Sequence, residues 1–179
     1  MIPPAIVRRL CIPKLEASAF TPTKFSSVED KVWFTNALLQ FLAKDCPLSA
    51  FSNRFYSRLS NTFGHIAHYN RQQFYEEFFL DDVGKVAFVD QLLHWQFYGD
   101  PHYTYSDVEH VVAARIRTTE LLKIYRVRLK AQIENKERAQ LARLKAKYDP
   151  PLPVSARAER LTAAPFAPQK QADLFDLPH

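Results

Sequence analysis

Between Pro101 and Pro150 the chain holds neither proline nor glycine. Ser106 and Glu109 stand at capping-box spacing just inside this interval, and if the stretch from there is continuous it is one helix of about 40 residues, roughly 60 Å long at 1.5 Å rise per residue. A rod of that length exceeds the width of the domain that the rest of the chain can build, so its far end is expected to project. Its apolar positions agree. Val108, Val112, Ile116, Leu122, Tyr125 and Leu129 form a core stripe in the first part, whereas beyond Ile133 only Leu141, Leu144 and Tyr148 punctuate charge. Acidic Asp107 and Glu109 occupy the first turn and basic Lys145 and Lys147 the last, the arrangement that suits a helix dipole.

The upstream sequence is helical in pattern as well. In "SSVEDKVWFTNALLQFLAK", Ser26 and Glu29 form a capping box, and Val28, Val32, Leu39 and Leu42 follow at helical spacing as far as a stop near Pro47. Phe51, Phe55, Leu59 and Phe63 share one stripe and Phe74 and Phe78 another. The first of these helices either ends at Gly64 as a C-cap or runs on through Ile66 and Ala67. Asp82 caps a segment carrying Val86, Val89, Leu92, Leu93 and Phe97, which Gly99 and Pro101 terminate. The chain has three glycines and no Val/Ile-rich alternating run bounded by turns. The expected fold class is therefore all-α: a compact body of about four shorter helices plus one long basic helix.

Both ends differ from this body. Residues 1–25 contain Pro3, Pro4, Pro13 and Pro22 without sustained periodicity and read as an extended, disordered arm, lying on the body or loose in solvent. Residues 149–179 are rich in proline and poor in large apolar side chains, the composition of a flexible tether. The helical domain is accordingly 26–148, and no internal repeat is evident.

Charge and cysteine content narrow the function classes. Residues 1–114 carry ten Lys/Arg against twelve Asp/Glu, residues 115–147 eleven against three, and residues 148–179 three against four. The basic character thus lies in one segment: Arg115, Arg117, Lys123, Arg126, Arg128, Lys130, Lys136, Arg138, Arg143, Lys145 and Lys147. Such a cationic rod attracts phosphate backbones through counterion release, although an ordinary solvated face is the alternative. Cys11 and Cys46 are far apart and show no CxxC or CxxH pattern, which argues against a disulfide framework and a cysteine-based zinc site. With no apolar stretch of signal-peptide or spanning length, the expectation is a cytoplasmic protein.

No catalytic constellation stands out, and no cofactor is implied. His65 and His68 lie one turn apart, but Ile and Ala separate them and no HExxH spacing appears. A divergent metal-dependent nuclease would draw on these histidines with Glu76, Glu77, Asp81 and Asp82; hydrogen-bonded helix-end histidines and capping acids are the plainer reading. The phenylalanines at helical spacing, with Trp95, favour core packing over base stacking. Tyr98, Tyr103 and Tyr105 precede the basic helix in a loop where rings can be exposed or packed.

The tail closes on "QKQADLFDLPH". Within it "QADLF", Gln171 to Phe175, resembles the sliding-clamp-binding motif of bacterial replication and repair proteins: glutamine, two spacers of which the second is often Ser or Asp, then Leu and Phe. Asp173 fits the second spacer. The resemblance covers five residues and implies nothing about the body's fold. It implies that Leu174 and Phe175 fill a hydrophobic cleft on the ring-shaped clamp while Gln171 hydrogen-bonds at the rim. Two such side chains leaving water contribute about 1.5–3 kcal/mol each, partly offset by ordering a loose segment, so the grip is weak and reversible. The eukaryotic clamp-binding box would place two aromatics where this chain has Leu177 and Pro178. The expected partners are thus a bacterial sliding clamp and DNA, and the expected role is an accessory binding protein in replication, repair or mobile-element maintenance. The alternatives from sequence are a helical interaction or inhibitor module of phage or plasmid origin, and the nuclease.

Overall fold

A computed structural model describes residues 2–64, 70–94 and 99–148. Among these the regular structure is helical: α1 (Pro4–Cys11), α2 (Val28–Ala43), α3 (Asn53–Thr62), α4 (Arg71–Phe78), α5 (Asp82–His94), α6 (Ser106–Thr119) and α7 (Leu121–Tyr148). The chain divides into two units, residues 1–134 and 135–179. In the first, α2 packs on α1, α3 and α6, while α5 packs on α4 and α6.

The stripes read from the sequence form the core. Phe51, Phe55, Leu59, Phe63, Phe74 and Phe78 are all buried. Phe51 is the hub: its ring lies 5.7 Å from Phe41, 5.3 Å from Tyr75, 5.5 Å from Phe79 and, stacked, 6.4 Å from Phe74. Tilted and edge-on contacts of this kind add about 0.5–1.5 kcal/mol per pair beyond area burial. Gly84 lets α5 approach α4 closely, because a Cβ there would run into the Glu77 carbonyl oxygen and lie 2.8 Å from the Phe78 Cα.

The amino-terminal segment departs from the extended arm that its prolines predict. Pro4 occupies the first turn of α1, where a missing N–H costs nothing and the fixed φ suits a helix. Ile2, Leu10 and Phe20 are buried, so the segment contributes to the core.

Three helix starts shift by one position or lose their box. The α2 cap is Ser27, whose hydroxyl accepts from the Asp30 N–H, because Ser26 is buried and bridged to Thr23. Asp81, rather than Asp82, caps α5 by accepting from the Gly84 N–H at 2.8 Å. Ser106 is already within α6 and donates to the Gly99 carbonyl at 2.7 Å, so it forms no capping box with the buried Glu109. At the other end of α3 the helix stops at Thr62, with Phe63 as its C-cap, just before Gly64; Ile66 and Ala67 lie outside the described residues.

The long helix is two helices. Glu120 adopts left-handed φ 53° and ends α6, with its N–H turned to the Ile116 and Arg117 carbonyls. Just before it, Thr118 and Thr119 donate their hydroxyls to the Ala114 and Arg115 carbonyls at 2.6 and 2.7 Å. Such back-bonding by paired β-branched residues weakens a helix at that turn. α7 then begins immediately, and the carbonyl of Glu120 accepts from the Ile124 N–H.

Candidate functional site

The structure sorts the eleven basic residues by what they touch. Arg115 and Arg128 are committed inside the fold. The Arg115 guanidinium donates to the carbonyls of Arg9, Ile12 and Pro13 at 3.1, 3.0 and 2.8 Å, closing the C-terminal end of α1. Arg128 grips Asp45 with both terminal nitrogens, at 2.9 and 3.1 Å, and reaches Asp82 at 2.8 Å.

Asp45 and Asp82 are the centre of a polar knot that sequence reasoning missed. Lys85 donates to Asp45 at 3.1 Å, and the Gln132 amide donates to Asp82 at 2.8 Å. Burial disfavours the charged carboxyl of Asp45, yet the hydrogen bonds from Arg128 and Lys85 outweigh it and hold the pKa below the ordinary value. Asp45 and Cys46 both adopt left-handed φ, 65° and 59°, directly after α2. Beneath them the Tyr125 hydroxyl donates to the Leu42 carbonyl at 3.1 Å and lies 3.9 Å from the Cys46 sulfur. Burial pushes the Cys46 thiol up to about 12, so near neutral pH it stays protonated and is a poor nucleophile. The knot ties the end of α2 to α5 and α7. No local pattern announces it, because those three stretches of chain are far apart in sequence.

Four further bases rim the surface of the first unit. Arg117 donates to the Leu93 carbonyl at 3.0 Å and Arg126 meets Asp90 at 2.7 Å. Lys123 pairs with Glu120 at 3.4 Å and Lys130 approaches Glu134 at 4.0 Å. All four are exposed, and exposed pairs contribute at most about 1 kcal/mol each, so these cations remain open to other anions.

The remaining five, Lys136, Arg138, Arg143, Lys145 and Lys147, belong to the second unit. Every residue from 135 to 148 is exposed, and these five face Glu137 as the one acid in that span. Lys147 also lies over the Tyr148 ring, 4.9 Å from its centre.

The nuclease constellation does not assemble among the described residues. Asp81 serves as a helix cap, Asp82 is held by Arg128, and Glu76 accepts from Gln72 at 3.0 Å. His65 and His68 lie outside the described residues. Among the described residues no group of three His, Cys, Asp or Glu side chains is placed to hold a metal ion. His94 and His102 each engage an aspartate of their own turn, Asp90 and Asp100. Of the loop tyrosines, Tyr103 is exposed, Tyr105 packs near the Lys31 ammonium, and Tyr98 is outside the described residues, as is Trp95. The clamp-like motif, Gln171, Asp173, Leu174 and Phe175, also lies outside them. No described helix is long and apolar enough to cross a membrane.

No family model, curated protein or solved structure matches this chain.

Proposed function

We propose that this is a cytoplasmic accessory protein brought to DNA by a bacterial sliding clamp, acting in replication, repair or mobile-element maintenance. The carrying observation is the QADLF match at Gln171–Phe175, set near the end of a proline-rich segment with few other large apolar residues. A second support is the exposed cationic run from Lys136 to Lys147. Arg115 and Arg128 drop out of the phosphate-contact set because they hold carbonyls and carboxylates of the fold. Lys123 and Lys130 remain subsidiary contacts, as do Arg117 and Arg126.

The physics of the pairing is additive. A two-residue hook gives a weak grip, and a handful of phosphate contacts gives another. On one chain the second event becomes intramolecular, so the two multiply through effective concentration. The DNA term is salt-dependent, with a slope of about −0.9 per phosphate neutralised.

The test is recovery of purified clamp by the full-length protein and by Leu174→Ala/Phe175→Ala. The expected result is loss of clamp recovery in the variant with an unchanged thermal melt. Equal recovery by both proteins overturns the proposal.

A further inference from the structure

Two apolar troughs run along the first unit, one on either side of α7. The first, about 510 Å³, has Leu93, Ile116, Leu122 and Val127 in its lining. The second, about 540 Å³, is lined by Pro3, Ile6, Ile124 and Val127 among others. Glu120, Lys123 and Val127 line both, so they form the ridge that separates them. Lys123 and Val127 are four residues apart on one face of α7, and Glu120 stands at its start. Val127 is 62% exposed on that ridge, while Leu93, Leu122 and Ile124 are half-buried below it.

A ridge between two grooves is the relief into which a second helix packs, with the side-chain rows of the incoming helix entering the grooves. The rim gives the sign of that helix. Arg117, Lys123, Arg126 and Lys130 line the first trough against Glu120 alone. Asp90 and Glu134 neutralise part of this charge through exposed pairs, which an incoming carboxylate can replace at little cost.

We propose that this double trough is a docking surface for an acidic amphipathic helix of a partner protein. The inference goes beyond clamp and DNA binding and draws on the four bases, Arg117, Lys123, Arg126 and Lys130, that are only subsidiary contacts in that reading. Duplex DNA offers phosphates to the rim but nothing apolar to cover Val127, Leu122 and Ile124. A second copy of this chain would set one basic rim against another. A bilayer surface would leave concave troughs unfilled. An acidic helix with leucines on one face satisfies the rim and the floor together.

The probe is a set of fluorescein-labelled helical peptides of about 18 residues, long enough for a marginally stable helix, carrying leucines at i, i+3, i+4 and i+7 with glutamates on both flanks. Each register is titrated with full-length protein by fluorescence anisotropy, beside a charge-matched scrambled peptide and a labelled DNA duplex. The expected result is that at least one register binds about tenfold or more tightly than the scramble. Val127→Asp and Lys123→Glu/Lys130→Glu each weaken that binding about tenfold, with thermal melts retained, whereas Val127→Asp leaves duplex binding unchanged. Binding of no register, equal binding of the scramble, or a parallel fall of duplex and peptide affinity in Val127→Asp overturns the inference. Failure of the clamp and DNA reading would appear separately, in the clamp recovery of Leu174→Ala/Phe175→Ala.

Discussion

The Lys31 ammonium, on a side chain with no solvent exposure, lies 2.9 Å from Asp107 Oδ2 and joins the start of α2 to the start of α6. The pair is unequal in its other partners. Asp107 also accepts from the Thr21 and Val108 N–H groups at 2.9 and 2.8 Å. Lys31 is otherwise held by two longer hydrogen bonds, to the Pro101 and Thr104 carbonyls at 3.4 Å each, and by the Tyr105 ring 5.6 Å away. Removing one partner of a buried pair leaves an uncompensated charge, at about 3–5 kcal/mol. Asp107→Ala is expected to cost that much, since it strands the ammonium and two N–H donors. Lys31→Met is expected to cost clearly less, because the carboxylate keeps both backbone donors. Urea denaturation of the two variants gives the comparison, and equal losses would contradict this asymmetry.

Gly84 provides a second stability test. Elsewhere in an α-helix, Gly→Ala stabilises by about 1 kcal/mol. Here the added methyl meets backbone atoms of Glu77 and Phe78 that have no rotamer to yield. Overpacking against fixed neighbours costs about 1–3 kcal/mol, so Gly84→Ala is expected to lower the melting temperature despite its better helix propensity. A rise would show that α4 and α5 can separate freely.

The knot around Asp45 sets an acid-side dependence. Its folded pKa is depressed, so its stabilisation is fully present above the unfolded carboxylate value of about 3.9 and is lost as pH falls below that toward the folded value. Wild-type protein is expected to lose melting temperature steeply below about pH 4, and Asp45→Asn, already destabilised at neutral pH, to lose less over the same interval. Thermal melts from pH 6 to the acid limit, with both proteins in matched buffers, check the sign.

The cysteines should separate in time. Cys46 is buried with its thiol raised to about 12, while Cys11 is half-buried and raised more modestly by burial. A thiol-specific reagent near pH 8 is expected to label Cys11 slowly in the native state. Cys46 should react only at the rate of unfolding, and both at once in denaturant. Rapid native labelling of Cys46 in a Cys11→Ser variant would refute the packing around Tyr125.

The helical stripes were legible because burial on one face leaves a 3.6-residue trace. Phe51, Phe55, Leu59 and Phe63 became core as spaced, and so did Phe74 and Phe78. What escaped depends on contacts distant in sequence. Pro4 reads as a breaker until it is seen to start a helix whose Leu10 has a core to enter. The break at Glu120 carries no glycine or proline, only two threonines whose hydroxyls bond backward. The cationic run gave the charge of the segment but not its division, since whether an arginine meets solvent or the carbonyl of Pro13 is decided 102 residues away. Asp45, Lys85 and Arg128 could not be grouped by spacing at all.

The left-handed residue at Glu120 also makes the residue count of the first turns of α7 a fixed quantity. From that point α7 must bring Tyr125 under Leu42 and, a turn later, aim Arg128 at both Asp45 and Asp82. One residue gained or lost between 120 and 128 would swing the guanidinium about 100° around the helix and carry it about 1.5 Å along the axis. Homologous chains that keep this architecture should therefore vary freely in residue identity at exposed positions of the interval while preserving its count.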